Sequence, residues 1–169
     1  MIKNTLSLPN ILTLGNLFCG VLSIYWQNLE WALWLLFISL LLDLLDGWTA
    51  RKLNQQSELG IQLDSLADLV SFGVAPAIHL MNISSYRLGD WNILAGMIVI
   101  FSALRLARFN LMESKPFFTG LPTPANALFI FSFVVLHLFA PSYYSWIDQI
   151  SVYTIIITFS SFALILPIR

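Results

Sequence analysis

Asp43, Asp46, Asp64 and Asp68 stand in the stretch DLLDGWTARKLNQQSELGIQLDSLAD, residues 43–68, inside a chain that is otherwise almost entirely apolar. On a helix, Asp43 and Asp46 are three apart and project to one side, with Gly47 and Ala50 continuing that side at the next turn. Gly60, Asp64 and Asp68 are spaced by four and form a second stripe on the following helix. Two such stripes facing each other across a short turn gather four carboxylates in one pocket, where like charges with little water around them repel. A bound divalent cation removes that repulsion, and hard carboxylate oxygens suit Mg²⁺, Mn²⁺ or Ca²⁺ rather than zinc. Gly47 and Gly60 remove side chains where a bulky ligand or a neighbouring backbone must come close to the acids. A packing notch between membrane helices is the plainer alternative for both glycines.

The segments carrying these acids belong to a chain of 169 residues, 58% hydrophobic and 10% charged, with mean hydropathy +0.80. An ordinary soluble domain carries roughly a quarter charged residues, so the composition is that of an integral membrane protein. No basic face interleaved with aromatics is present, which argues against a nucleic-acid partner. Cys19 is the single cysteine and cannot form a disulfide within the chain.

A span needs about 20 mostly apolar residues, and six windows qualify: 8–27, 31–53, 59–82, 91–112, 121–140 and 150–168. Backbone exposed to lipid must satisfy its own hydrogen bonds, so the expectation is an all-α, polytopic, six-helix bundle forming one domain over 1–169. With the N-terminus inside, Lys3, Arg51, Lys52, Arg105, Arg108, Lys115 and Arg169 fall toward the cytoplasm and only Arg87 falls outside. The aspartate-bearing turn then lies near the cytoplasmic face, and Glu30, Asp90 and Asp148 lie in short outer loops. Met1 to Gly20 has the outline of a signal peptide, but Asn10, Thr13 and Asn16 interrupt its apolar run and bulky Phe18 precedes Cys19. It is expected to be the first span instead. The abrupt finish at Pro167-Ile168-Arg169 points to further C-terminal residues.

The full pattern Asp43-x-x-Asp46-Gly47-x-x-Ala50-Arg51, eight residues, Gly60-x-x-x-Asp64-x-x-x-Asp68 resembles the signature of the CDP-alcohol phosphotransferase family, with every fixed position filled. The resemblance implies a six-helix membrane enzyme, usually a homodimer, that moves a phosphate-linked group from a CDP-activated donor to an alcohol and releases CMP. It implies Asp43, Asp46 and Asp64 as metal ligands, Asp68 as general base with a share in the metal site, and Gly47, Ala50 and Gly60 as cytidine-diphosphate contacts. A diphosphate is anionic, so its approach to four carboxylates requires metal ions between them. The stretches LPNILTLGNLFCGVLSI (8–24), DSLADLVSFGVAPA (64–77), ALRLARFN (103–110) and FFTGLPTPANA (117–127) resemble the serine-using branch of the family. That implies CDP-diacylglycerol and L-serine as substrates at the cytoplasmic membrane. The glycerol-phosphate branch typically has an arginine in the first helix where this chain has Asn16.

Serine brings a carboxylate to a site crowded with acids, so a fixed cation is needed, and Arg105 and Arg108 on the fourth span are the candidates. Their alternative is service as positive-inside anchors. Arg51 directly follows the metal motif and is a candidate phosphate contact, while Lys52 is expected to reach the interface. Asn10, Thr13 and Asn16 share one broad face of the first helix, and either line the nucleotide pocket or act as interhelical hydrogen-bond glue. His79 and His137 stand alone on apolar helices. Trp31, Trp34, Trp48, Trp91 and Trp146 are read as interfacial anchors. Pro122 and Pro124 open the fifth helix after Gly120, beside the active site if the resemblance extends that far. Two rival functions are the same chemistry with inositol phosphate or glycerol phosphate as acceptor, and a cation transporter or channel. The last predicts acids along a route through the membrane, whereas spans 91–112, 121–140 and 150–168 contain none.

Overall fold

Leucine-rich runs punctuated by amides and prolines fold as helices. The computed structural model describes residues 7–26, 28–88, 94–111, 120–139 and 150–165, and among the described residues there is no strand. Helix α1 spans Leu8–Trp26, α2 Leu29–Lys52, α3 Glu58–Asp68, α4 Ala75–Leu88, α5 Gly96–Leu111, α6 Thr123–Phe139 and α7 Ile150–Ile165. Lys3, Lys115, Arg169, Trp91, Trp146, Asp90 and Asp148 lie outside the described residues, as do the side chains of Arg87 and His137.

Between α3 and α4 the backbone takes a π-helical course over Leu69–Val74. Pro76 accounts for it, because its ring excludes the carbonyl four residues earlier and it has no N–H to offer the ladder. The helix then continues to Leu88, beyond the expected window end at 82. The polar residues from Asn82 onward mark where hydrocarbon would end, and none of them breaks a helix before Gly89. Among the described residues, two stretches, Leu8–Trp26 and Glu58–Asn82, are long and apolar enough to cross a membrane. Helix α2 is as long but carries Glu30, Asp43 and Asp46 along its apolar length. Helices α5, α6 and α7 have 16, 17 and 16 described residues, short of the roughly 20 that a straight span takes.

The chain divides into two compact units, Met1–Ser71 and Phe72–Arg169. In the first, α1 packs along α2 and against α3. Its buried side is polar or small, with Asn10, Thr13, Asn16, Gly20 and Ser23, while Ile11, Leu14, Phe18 and Val21 face outward. A helix in water does the reverse, and this is the arrangement that a hydrocarbon surround favours. Asn16 ties α1 to α2 and to the π-helical stretch that follows α3: Ser39 Oγ donates to its side-chain oxygen, and Ser71 Oγ donates to its backbone carbonyl at 3.0 Å. Gly20 permits that approach, since a Cβ there would lie 2.9 Å from Ser71 Cα.

The second unit has an apolar core of Ala77, Leu80, Ala95, Ile98, Ile130 and Ile157. Gly120 adopts φ +86° and presses against the end of α7, where a Cβ would come within 2.1 Å of the Leu164 carbonyl oxygen. Leu121 N donates to Ala163 O at 2.8 Å, which fastens the start of α6 to α7.

Candidate active site

The turn between the two aspartate-bearing helices is set by its own sequence. Asn54 takes the left-handed conformation, φ 52°, a role that suits asparagine after glycine. The following Gln55 N–H reaches back to Ala50 O at 3.0 Å and Asn54 N–H to Arg51 O at 3.4 Å, a Schellman closure of α2. Ser57 then caps α3, its hydroxyl accepting from Gly60 N at 3.0 Å. Helix α1 packs against both α2 and α3, so its polar side meets the acids.

The four aspartates divide their positions. Asp43, Asp64 and Asp68 each offer a carboxylate oxygen, and these oxygens all lie within 4.8 Å of one another. Asp46 stands outside this trio, and its Oδ2 accepts a 2.6 Å hydrogen bond from Thr13 Oγ1. Asp68 Oδ1 is buried with no hydrogen-bond partner among the described residues. An acid oxygen in that state is costly unless a cation takes it. The donors are all carboxylate, which fits a hard divalent ion and not zinc. Asp43, Asp64 and Asp68 therefore form a fitting cation site.

Beside the trio lies a cavity of about 360 Å³ whose wall includes Asp46 and Asp64. Asp64 is thus common to the acid trio and the cavity. Asn10, Thr13, Gly47, Ala50, Arg51 and Gly60, the residues expected to hold the nucleotide, all line this one space. A Cβ on Gly47 would lie 3.5 Å from Arg51 Nη1, so the guanidinium runs alongside the bare glycine. At Gly60 a Cβ would come 3.2 Å from Asn10 Oδ1, which makes this glycine a contact point of α1 with α3. Pro9, Gln55, Gln56, Ser57 and Ile61 complete the wall. Gln55, Gln56 and Ser57 stand in the turn between α2 and α3, and the sequence motif of acids and glycines does not name them as part of this wall.

The polar residues of α1 differ in their surroundings, and Thr13 both borders the cavity and bonds across to α2. Asn10 and Thr13 line the cavity, whereas Asn16 serves as interhelical glue. Lys52 lies over the Trp48 ring at 4.4 Å, and Trp31, Trp34 and Trp48 are exposed, as interfacial residues would be. In the second unit, Arg105 is half-buried and its Nη1 donates to Thr123 Oγ1 at 2.7 Å, while Arg108 is exposed. His79 is buried, edge-on to Phe131 with ring centroids 5.8 Å apart.

Asp64 thus joins the acid trio to a cavity whose wall includes Gly47, Ala50, Gly60 and Arg51. Residues 6–165 match the family model described as CDP-alcohol phosphatidyltransferase, and the chain belongs to that family. Among curated relatives it is similar to a CDP-diacylglycerol–serine O-phosphatidyltransferase of Bacillus subtilis, 42% identical over 122 residues, covering 69% of this chain and 69% of the relative. A Helicobacter pylori protein of the same name is 42% identical over 135 residues, covering 76% of this chain and 57% of the relative. An archaetidylserine synthase of Methanothermobacter thermautotrophicus is 40% identical over 139 residues, covering 78% of this chain and 59% of the relative. The chain therefore spans less than two thirds of the length of the latter two.

Proposed function

We propose that this chain transfers the phosphatidyl group of CDP-diacylglycerol to the hydroxyl of L-serine, giving phosphatidylserine and CMP. The observation that carries the chemistry is the trio of carboxylate oxygens within 4.8 Å of one another, sharing Asp64 with a cavity of about 360 Å³. Serine as acceptor is supported by the names of the relatives, which specify serine or archaetidylserine.

Asp43, Asp64 and Asp68, with Asp46 adjoining, would hold divalent cation, Mg²⁺ or Mn²⁺ by donor type and Ca²⁺ as a further candidate. Such an ion, when bound, supplies the positive charge that lets a diphosphate sit among acids and that balances the charge developing on departing CMP. The protein's own groups do the rest. Gly47, Ala50 and Gly60 leave room for the nucleotide, and Arg51 pairs with a phosphate oxygen. Asp68 accepts the proton of the serine hydroxyl. The freed oxygen bonds to the phosphorus that carries diacylglycerol, and the bond from that phosphorus to the bridging oxygen breaks, releasing CMP. At least one of Arg105 and Arg108 takes the serine carboxylate in a charge-assisted pair.

We place the chain as one six-helix domain in the cytoplasmic membrane, with its N-terminus and active site toward the cytoplasm and a homodimer as its assembly. The outward apolar and inward polar sides of α1 support the membrane setting. The test is detergent-purified protein given CDP-diacylglycerol with labelled serine, glycerol phosphate or inositol phosphate in turn. Labelled phosphatidylserine and CMP with serine alone are expected, and product from another alcohol only would refute the acceptor.

A further inference from the structure

We infer that Thr123 is a positioning residue that sets the guanidinium of Arg105 for the acceptor carboxylate. The inference rests on the reading of Arg105 as the serine carboxylate's partner. An arginine side chain has many rotamers, and a bidentate pair with a carboxylate needs one of them held. Thr123 Oγ1 holds it, accepting from Arg105 Nη1 at 2.7 Å. A hydroxyl is a neutral acceptor, so it orients the guanidinium while leaving the positive charge intact for an anion, which an aspartate at 123 would cancel.

Thr123 is itself immobilised. It is 0% exposed, and the residues before it are fixed to the last turn of α7 by Leu121 N donating to Ala163 O at 2.8 Å. Gly120, in a left-handed conformation, is the residue that lets this approach occur. Pro122 O accepts the opening bond of α6 from Asn126 N at 3.0 Å. One turn further on, Asn126 Oδ1 accepts from Ser160 Oγ at 2.7 Å, a second tie to α7. The strap from α7 through residues 120–123 thus ends on a hydroxyl that grips α5's arginine. Prolines on both sides of Thr123 restrict the backbone on which that hydroxyl is mounted.

Steady-state kinetics of the full-length chain in detergent, with CDP-diacylglycerol and serine varied separately, tests this. Thr123→Val is expected to raise the serine KM about tenfold, the equivalent of one hydrogen bond to a charged group, with kcat and the CDP-diacylglycerol KM within about twofold. Thr123→Ser keeps the hydroxyl and should stay within about twofold of the parent, because only the methyl is lost. Added to Arg105→Ala, Thr123→Val should cause no further rise, since a residue acting through another has nothing left to act on. Should Thr123→Val not fold, Thr123→Ala is read by the same split. An unchanged serine KM in Thr123→Val, beside a raised one in Arg105→Ala, overturns the positioning role and leaves the assignment of Arg105 standing. An unchanged serine KM in Arg105→Ala overturns that assignment itself. Parallel losses in kcat and both KM values, not rescued by Thr123→Ser, would make Thr123 a purely structural residue and also overturn the inference.

Discussion

Thr13→Val is the substitution that probes the cavity wall most sharply. Thr13 is 3% exposed and Asp46 5%, and the bond between them is 2.6 Å long, within the range of a hydroxyl donating to a carboxylate. Valine keeps the shape and removes the donor, leaving Asp46 Oδ2 without its 2.6 Å hydroxyl partner at the cavity wall. Pro9 O, 3.1 Å from the same hydroxyl, competes for its one proton and matters less, because a helix carbonyl at that position already receives a backbone N–H. Losing a hydrogen bond to a charged group costs about 1.5–3 kcal/mol. If Asp46 must be oriented to receive the nucleotide, kcat/KM for CDP-diacylglycerol falls by roughly ten- to a hundredfold. Initial rates of CMP release at saturating serine and varied CDP-diacylglycerol measure it, with Thr13→Ser expected within about threefold of the parent because it retains the donor. A Thr13→Val enzyme within about twofold of the parent would refute an oriented Asp46.

Further outcomes follow from other contacts. Asp68→Asn keeps the size of the side chain but can neither accept the serine proton nor supply a charged oxygen, so kcat should drop by about a thousandfold or more while the protein remains folded by circular dichroism. Gly20→Ala places a Cβ 2.9 Å from Ser71 Cα and should lower thermal stability in detergent by roughly 1–3 kcal/mol. Gly15→Ala meets only the flexible tip of Leu42, at 3.2 Å, and should be far milder, so equal losses would contradict the close crossing of α1 with the helix bearing Ser71. Removal of divalent ions by a chelator should abolish CMP release, with recovery on adding Mg²⁺ or Mn²⁺ and not Zn²⁺.

The acids were legible because helical geometry alone brings residues three and four apart to one side, so Asp43, Asp46, Asp64 and Asp68 announce a cluster before any coordinates exist. Their division was not. That Asp46 is tied to Thr13 while the other three converge depends on which side of α1 is turned inward, a matter of packing between residues 33 apart. Gln55, Gln56 and Ser57 were hidden in a different way: the polarity that makes a good turn also makes a good cavity wall, and sequence cannot separate the two. The π-helical segment has a local cause in Pro76, but an unbroken apolar run around it gives no sign of how the ladder adjusts. The continuation of α4 to Leu88 went unread because hydropathy reports the surrounding medium and not the end of a helix. Arg105 could be nominated from its charge, whereas its grip by Thr123 arises from tertiary packing of α5 with the start of α6.

The central claim, that the carboxylates of α2 and α3 hold divalent cation and through it a nucleotide diphosphate, is tested most directly by calorimetric titration of CDP into the purified chain. Binding is expected with Mg²⁺ or Mn²⁺ present, absent in chelator, and lost in Asp64→Asn, the aspartate shared by the acid trio and the cavity. Equal CDP affinity with and without divalent cation, or undiminished affinity in Asp64→Asn, would contradict it.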